Sequence, residues 1–90
     1  MKKIIDPFLY ELPYIDVHGY DENYTIMCLK NLISDSLFLG KYKIYIIHGK
    51  GTYILKNSIH EYLKTDKRVD NYYIYNNNDG RTIIELKSIK

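Results

Sequence analysis

Tryptophan is absent, cysteine occurs once, and no apolar run is long. Each scarcity removes a class of protein. A lone Cys28 can close no internal disulfide and has no cysteine partner for a zinc site. His18, His48 and His60 do not share the short spacing that structural zinc motifs use, so no structural metal is expected. Nothing approaches the roughly 18 consecutive apolar residues that span a bilayer. The opening Met1-Lys2-Lys3-Ile4-Ile5-Asp6-Pro7 has no apolar stretch of signal-peptide length behind its lysines, so a cytoplasmic location with no membrane partner is expected. There is no internal repeat and no linker, and 90 residues make one domain. A net charge of +2 is too small to announce a nucleic-acid binder by itself.

What is present is ordinary for a globular domain, with 46% apolar and 27% charged residues. Charge is unevenly placed. Residues 1–40 are net acidic, whereas residues 41–68 carry Lys41, Lys43, Lys50, Lys56, Lys64, Lys67 and Arg68 against only Glu61 and Asp66. On charge alone these cations read as a solvated face. Eleven tyrosines fit the composition of an A- and T-rich genome. Without a spacing to support it, their abundance is not read as a stacking platform.

Residues 1–13 hold Pro7 and Pro13 and no clean period, and read as an arm ahead of a domain over 14–90. A short strand near 14–17 stops at His18-Gly19. Asp21 suits the N-cap of a helix near 22–39, in which Thr25, Cys28, Leu29, Leu32, Ile33 and Ser36 share one face. Gly40 stands where a helix C-terminus wants it. The β-branched and aromatic run 42–47 predicts a central strand. Thr52 is the expected N-cap of a second helix near 53–64, striped by Leu55, Ile59 and Leu63, with His60 off the stripe and exposed. Strands near 69–75 and 82–87 flank the turn cluster Asn76-Asn77-Asn78-Asp79-Gly80. The order β-α-β-α-β-β predicts an α/β two-layer sandwich with a mixed four-stranded sheet, strands one to three running parallel and the last antiparallel. Cys28, Leu29, Leu32, Ile33, Ile44, Ile46, Leu55, Ile59 and Leu63 are its expected core.

In parallel α/β units ligands bind beyond the carboxyl ends of the strands, and both Gly-His pairs fall there. Asp16 and His18 are two apart on an extended segment and project to the same face. An acid beside an imidazole orients or charges it for proton transfer. After the second strand, Gly49 and Gly51 are small, Lys50 is cationic, and the following helix start offers free N–H groups. That combination suits an anion, phosphate in particular. It is not a Walker A loop, which needs Gly-Lys-Ser/Thr behind a longer glycine spacing. A single helical crossover puts both strand ends on one edge of the sheet. Asp16, His18 and His48 are therefore expected to form one site, and replacement of Asp16 or His48 by Ala to abolish cleavage while leaving stability nearly unchanged.

Ile15-Asp16-Val17-His18-Gly19, then Ile46-Ile47-His48-Gly49-Lys50-Gly51-Thr52 with Leu55-Lys56, and finally Ile84-Glu85-Leu86-Lys87 resemble the Smr (small MutS-related) domain family over residues 14–87. The resemblance implies a nucleic-acid-binding domain, standing alone or at the end of a MutS2-type protein, with nicking or endonuclease activity on DNA or RNA. It implies catalytic roles for Asp16, His18 and His48. It also implies a grip on nucleic acid by Gly49, Lys50, Gly51, Thr52 and Lys56, to which the basic Lys41 and Lys43 are added. A divalent ion, Mg²⁺ or Mn²⁺, is the cofactor to test. Non-catalytic binding to nucleic acid or the ribosome is the alternative, and a small-molecule phosphate site is a third. The sequence departs from the family at Tyr53, where glycine is usual, and at Lys56, where arginine is.

Overall fold

Asp21 starts the first helix by accepting the Tyr24 backbone N–H on Oδ1 at 2.8 Å, satisfying one of the donors a helix start leaves free. That helix, α1, spans Glu22–Phe38, and Gly40 follows at a φ of +75°, the left-handed conformation glycine supplies after a helix. In the computed structural model, which describes residues 12–49, 53–75 and 78–88, the remaining elements are β1 (Tyr14–Asp16), β2 (Lys43–Ile47), α2 (Ile54–Thr65), β3 (Val69–Tyr75) and β4 (Asn78–Leu86). The expected β-α-β-α-β-β sandwich is the observed one. Of the expected arm 1–13, residues 1–11 lie outside the described residues. Among the described residues no helix is long and apolar enough to cross a membrane.

The sheet order is β1-β2-β4-β3. β1 pairs parallel to β2, and β4 lies antiparallel to both β2 and β3. Three strands therefore share a direction and the last opposes them. The second crossover leaves a gap one strand wide, and β4 fills it. β4 begins at Asn78, so Asn78, Asp79 and Gly80 are strand rather than turn. Tyr75 pairs with Asn78 after a register shift, which lets the ladder run to the end of the hairpin.

Alternation along the strands sorts the core. Ile44, Ile46, Ile84 and Leu86 face the helices and join Val17, Leu29, Ile33, Ile59 and Leu63 in one buried cluster. Tyr45 and Ile83 point to the other face, with Leu12, Ile47 and Tyr75 packed around them. Cys28, Leu32 and Leu55, expected in the core, are half-buried and packed against it. The two helices lie side by side, so the flanks of each apolar stripe stay partly open. Beyond α2, Asp66 accepts the Arg68 backbone N–H at 2.9 Å and its guanidinium at 2.8 and 3.0 Å, while Arg68 reaches Ser34 of α1 at 2.9 Å. This cluster pins the turn into β3 to the first helix.

Candidate functional site

β1 and β2 are adjacent, with Asp16 level with Ile47 and the Val17 N–H donating to the Ile47 carbonyl at 2.8 Å. Their carboxyl ends thus leave the sheet side by side. At the first end, Asp16 Oδ1 accepts the His18 backbone N–H at 3.2 Å and lies 2.7 Å from His18 Nδ1. The hydrogen bond from His18 is the main reason the Asp16 carboxyl stays below the usual carboxylate range, with the charge of Arg81 adding to it. A carboxylate at Nδ1 fixes the proton there, leaving Nε2 as the nitrogen for a reacting group. The His18 side chain is 71% exposed, so that nitrogen is accessible.

At the second end, Gly49 adopts a φ of +83°, and a Cβ on it would sit 3.2 Å from His18 Cβ. The two Gly-His turns therefore touch. The His48 and Gly49 N–H groups both donate to the Gly80 carbonyl, at 2.8 and 3.1 Å, which ties this turn to the start of β4.

His48 differs from His18 in kind. It is only 5% exposed. Its Nδ1 is 3.2 Å from the Gly49 carbonyl and its Nε2 is 2.8 Å from Thr82 Oγ1. The same hydroxyl is 2.9 Å from His60 Nε2. The two imidazoles stand edge-on with centroids 6.3 Å apart, and His60 packs on Tyr72 at 5.0 Å. Proton counting orders this group. A carbonyl only accepts, so Nδ1 of His48 carries a proton. In a neutral ring Nε2 then accepts from the Thr82 hydroxyl, whose oxygen in turn accepts from His60 Nε2–H.

Two expectations change here. His60, expected exposed, is half-buried, because α2 lays it against the helix-facing side of β4. His48, expected to be dispensable for stability, is buried and bonded across the sheet. Burial holds the His60 imidazole below its ordinary range, helped by its electrostatic interaction with His48 and by the positive charges of Lys56 and Lys64. Thr82 was legible in principle, since it lies in phase with Ile84 and Leu86 on the apolar face of its strand. Only the strand order shows which histidines it meets.

A cleft of about 540 Å³ opens between these turns and the start of α2, lined among others by His18, Tyr20, His48, Gly49, Tyr53 and Lys56. Lys50, Gly51 and Thr52 lie outside the described residues. The N-cap of α2 is Tyr53, not the expected Thr52, and it makes no side-chain capping bond. Lys56 sits with Nζ 5.0 Å from the Tyr53 ring centroid. Lys41 and Lys43 are not brought to the cleft. Lys43 starts β2 beside Glu85 at 3.8 Å, so the strand carries it roughly 16 Å from His48, and Lys41 lies just ahead of that strand start. Among the described residues no three His, Cys, Asp or Glu side chains cluster to hold a metal ion. Asp16 is committed to His18, and Asp21 to the helix start. The described residues do not fit a protein-held metal.

Fold and site together define a small α/β domain with a cleft at the carboxyl edge of its parallel strand pair, lined by Lys56 and by the carboxylates Asp21 and Glu22. The model of the Smr domain matches residues 15–87, and the chain belongs to that family. It is 41% identical over 76 residues to a protein named Endonuclease MutS2 from Finegoldia magna, and the match covers 81% of this chain and 10% of that protein. The corresponding Acetivibrio thermocellus protein, also named Endonuclease MutS2, is 36% identical over the same share of each. The chain spans about a tenth of the length of these curated relatives. Among solved structures, the Smr domain of Thermus thermophilus MutS2 superposes with a TM-score of 0.81 at 25% identity, covering 84% of this chain and 99% of that one. YdaL, a stand-alone small MutS-related protein from Escherichia coli, shares the fold with a TM-score of 0.75 at 17% identity, covering 86% of this chain and 66% of that one.

Proposed function

We propose that this Smr domain binds nucleic acid at the cleft and nicks its phosphodiester backbone. The observation that carries the reading is the Asp16–His18 pair, 2.7 Å apart and open to solvent at the mouth of a cleft that also holds Lys56 and a helix start. The relatives named as endonucleases support the same class of chemistry. His18 Nε2 takes a proton from an attacking water while its oxygen bonds to phosphorus. The opposite P–O ester bond breaks, and its oxygen leaves with a proton from solvent. Asp16 steadies the imidazolium that forms. Lys56 offsets the charge that gathers on the non-bridging oxygens. His48 takes a positioning role here, since its ring nitrogens are engaged within the fold.

That engagement of His48 also favours a second reading, in which the cleft grips phosphate and cuts nothing. Incubation with labelled single- and double-stranded DNA and RNA, with and without Mg²⁺ or Mn²⁺, separates the two. Under the nicking reading, His18→Ala and Asp16→Asn each lower the nicking rate by about 10²-fold or more. Both side chains are exposed, so melting temperature stays nearly constant. Lys56→Ala weakens binding to all sequences and lowers the salt slope by about one contact. Undiminished cleavage in both dyad variants would remove His18 from the chemistry, and salt-independent binding would remove the phosphate grip.

A further inference from the structure

Tyr53 occupies a conformation that its own side chain opposes. Its φ is +69°, the only positive value at a non-glycine residue among those described. A glycine meets that backbone without strain, and a residue bearing a Cβ does not. Strained residues persist where the surroundings hold them, and they cluster at ligand sites. The strain here sets an aromatic ring at the lip of the cleft, 47% exposed. Lys56 Nζ lies 5.0 Å from the ring centroid, so a cation accompanies the ring. The same cleft is lined by Tyr20, which is 40% exposed and leans on Tyr24 with centroids 5.1 Å apart. At about 540 Å³ the cleft falls within the roughly 300–1,000 Å³ of small-ligand sites, which suits one nucleotide unit rather than a duplex.

From this arrangement we infer that Tyr53 is a stacking platform for an unpaired nucleobase, making single-stranded nucleic acid the preferred ligand of the cleft. The inference rests on the nucleic-acid reading above and adds the class of substrate. A ring flanked by a lysine pairs a π-face for the base with a charge for the adjoining phosphate. A duplex keeps its bases stacked on one another and has no face to offer. Stacking of this kind tolerates any base and any sugar, so single-stranded DNA and RNA share the chemistry.

The test compares binding of short labelled oligothymidylate, oligouridylate, an abasic sugar-phosphate oligomer of equal length, and a DNA duplex by fluorescence anisotropy. The proteins are the unmodified chain, Tyr53→Phe and Tyr53→Gly. Glycine suits the backbone at this position, so Tyr53→Gly melts at or above the parent temperature, and a loss of binding is not a loss of fold. The expected result is that Tyr53→Gly weakens binding of the base-bearing single strands roughly five-fold or more. It leaves the abasic oligomer and the duplex unchanged, while Tyr53→Phe behaves as the parent. A difference confined to the thymidylate or the uridylate arm overturns the claim that the sugar is not read. Equal loss on the abasic oligomer, or no loss on any, overturns the stacking role while salt-dependent binding leaves the nucleic-acid reading standing. Absence of binding to all four probes overturns both.

Discussion

Thr82 is the position where a single atom carries the most. Thr82→Val keeps the β-branched shape and removes the hydroxyl that lies 2.8 Å from His48 Nε2 and 2.9 Å from His60 Nε2. Each lost hydrogen bond is worth about 1 kcal/mol net, and a ring nitrogen left buried without that partner costs about 1 kcal/mol more. The new methyl recovers about 1 kcal/mol of apolar burial. The balance is a destabilisation of about 1–3 kcal/mol. A domain of 90 residues has on the order of 5–13 kcal/mol in total, so this is a large share. At about 4–8 °C per kcal/mol for a domain of this size, the melting temperature falls by roughly 5–20 °C. Urea and thermal melts measure the loss, with Thr82→Ser as the control that restores the hydroxyl. Imidazole ¹⁵N shifts report the tautomers, with the His60 Nε2–H present in the parent and in Thr82→Ser. A Thr82→Val protein within about 0.5 kcal/mol of the parent, with both tautomers unchanged, would falsify the shared-hydroxyl assignment.

His60 makes stability depend on pH. Its imidazole is held below the ordinary 6.5, chiefly by burial, so just below that pH the unfolded chain holds more protons than the folded one. The His60 contribution is then complete above pH 6.5 and fades as the pH falls through the window beneath it. Urea midpoints measured across this window show that slope, and His60→Gln flattens it; an equal slope in both proteins assigns the effect elsewhere. Gly49→Ala combines a φ of +83° with a Cβ placed 3.2 Å from His18 Cβ. It is expected to cost about 1–2 kcal/mol and to shift the His18 ring resonances, and a neutral melt with unshifted resonances counts against the contact between the two turns.

Much of this architecture was readable one residue at a time. The apolar period of residues 25–36 placed α1, and Asp21 marked its start because a carboxylate there satisfies the Tyr24 N–H. A crossover of one helix between β1 and β2 implied parallel strands, and with them a common edge for Asp16, His18 and His48. The far location of Lys41 and Lys43 was also implied, since residues that begin a strand cannot share the edge where it ends. Their charge, not their place along the strand, was the reason for grouping them with the loop after β2. Tyr53 was visible as a departure at a glycine position, but not as a ring held by strained backbone at the lip of a cleft.

Sequence by itself determined which residues pair into elements and which face of each is apolar, because those follow from local period and turn chemistry. The position of β4 between β2 and β3 was decided only in three dimensions, since strand order depends on contacts between segments far apart in the chain. From that one choice follow the Gly80 carbonyl beneath the His48 turn and the Thr82 hydroxyl between two imidazoles. It also divides the two histidines, leaving His18 with its acid in solvent while β4 covers His48 and removes it from water.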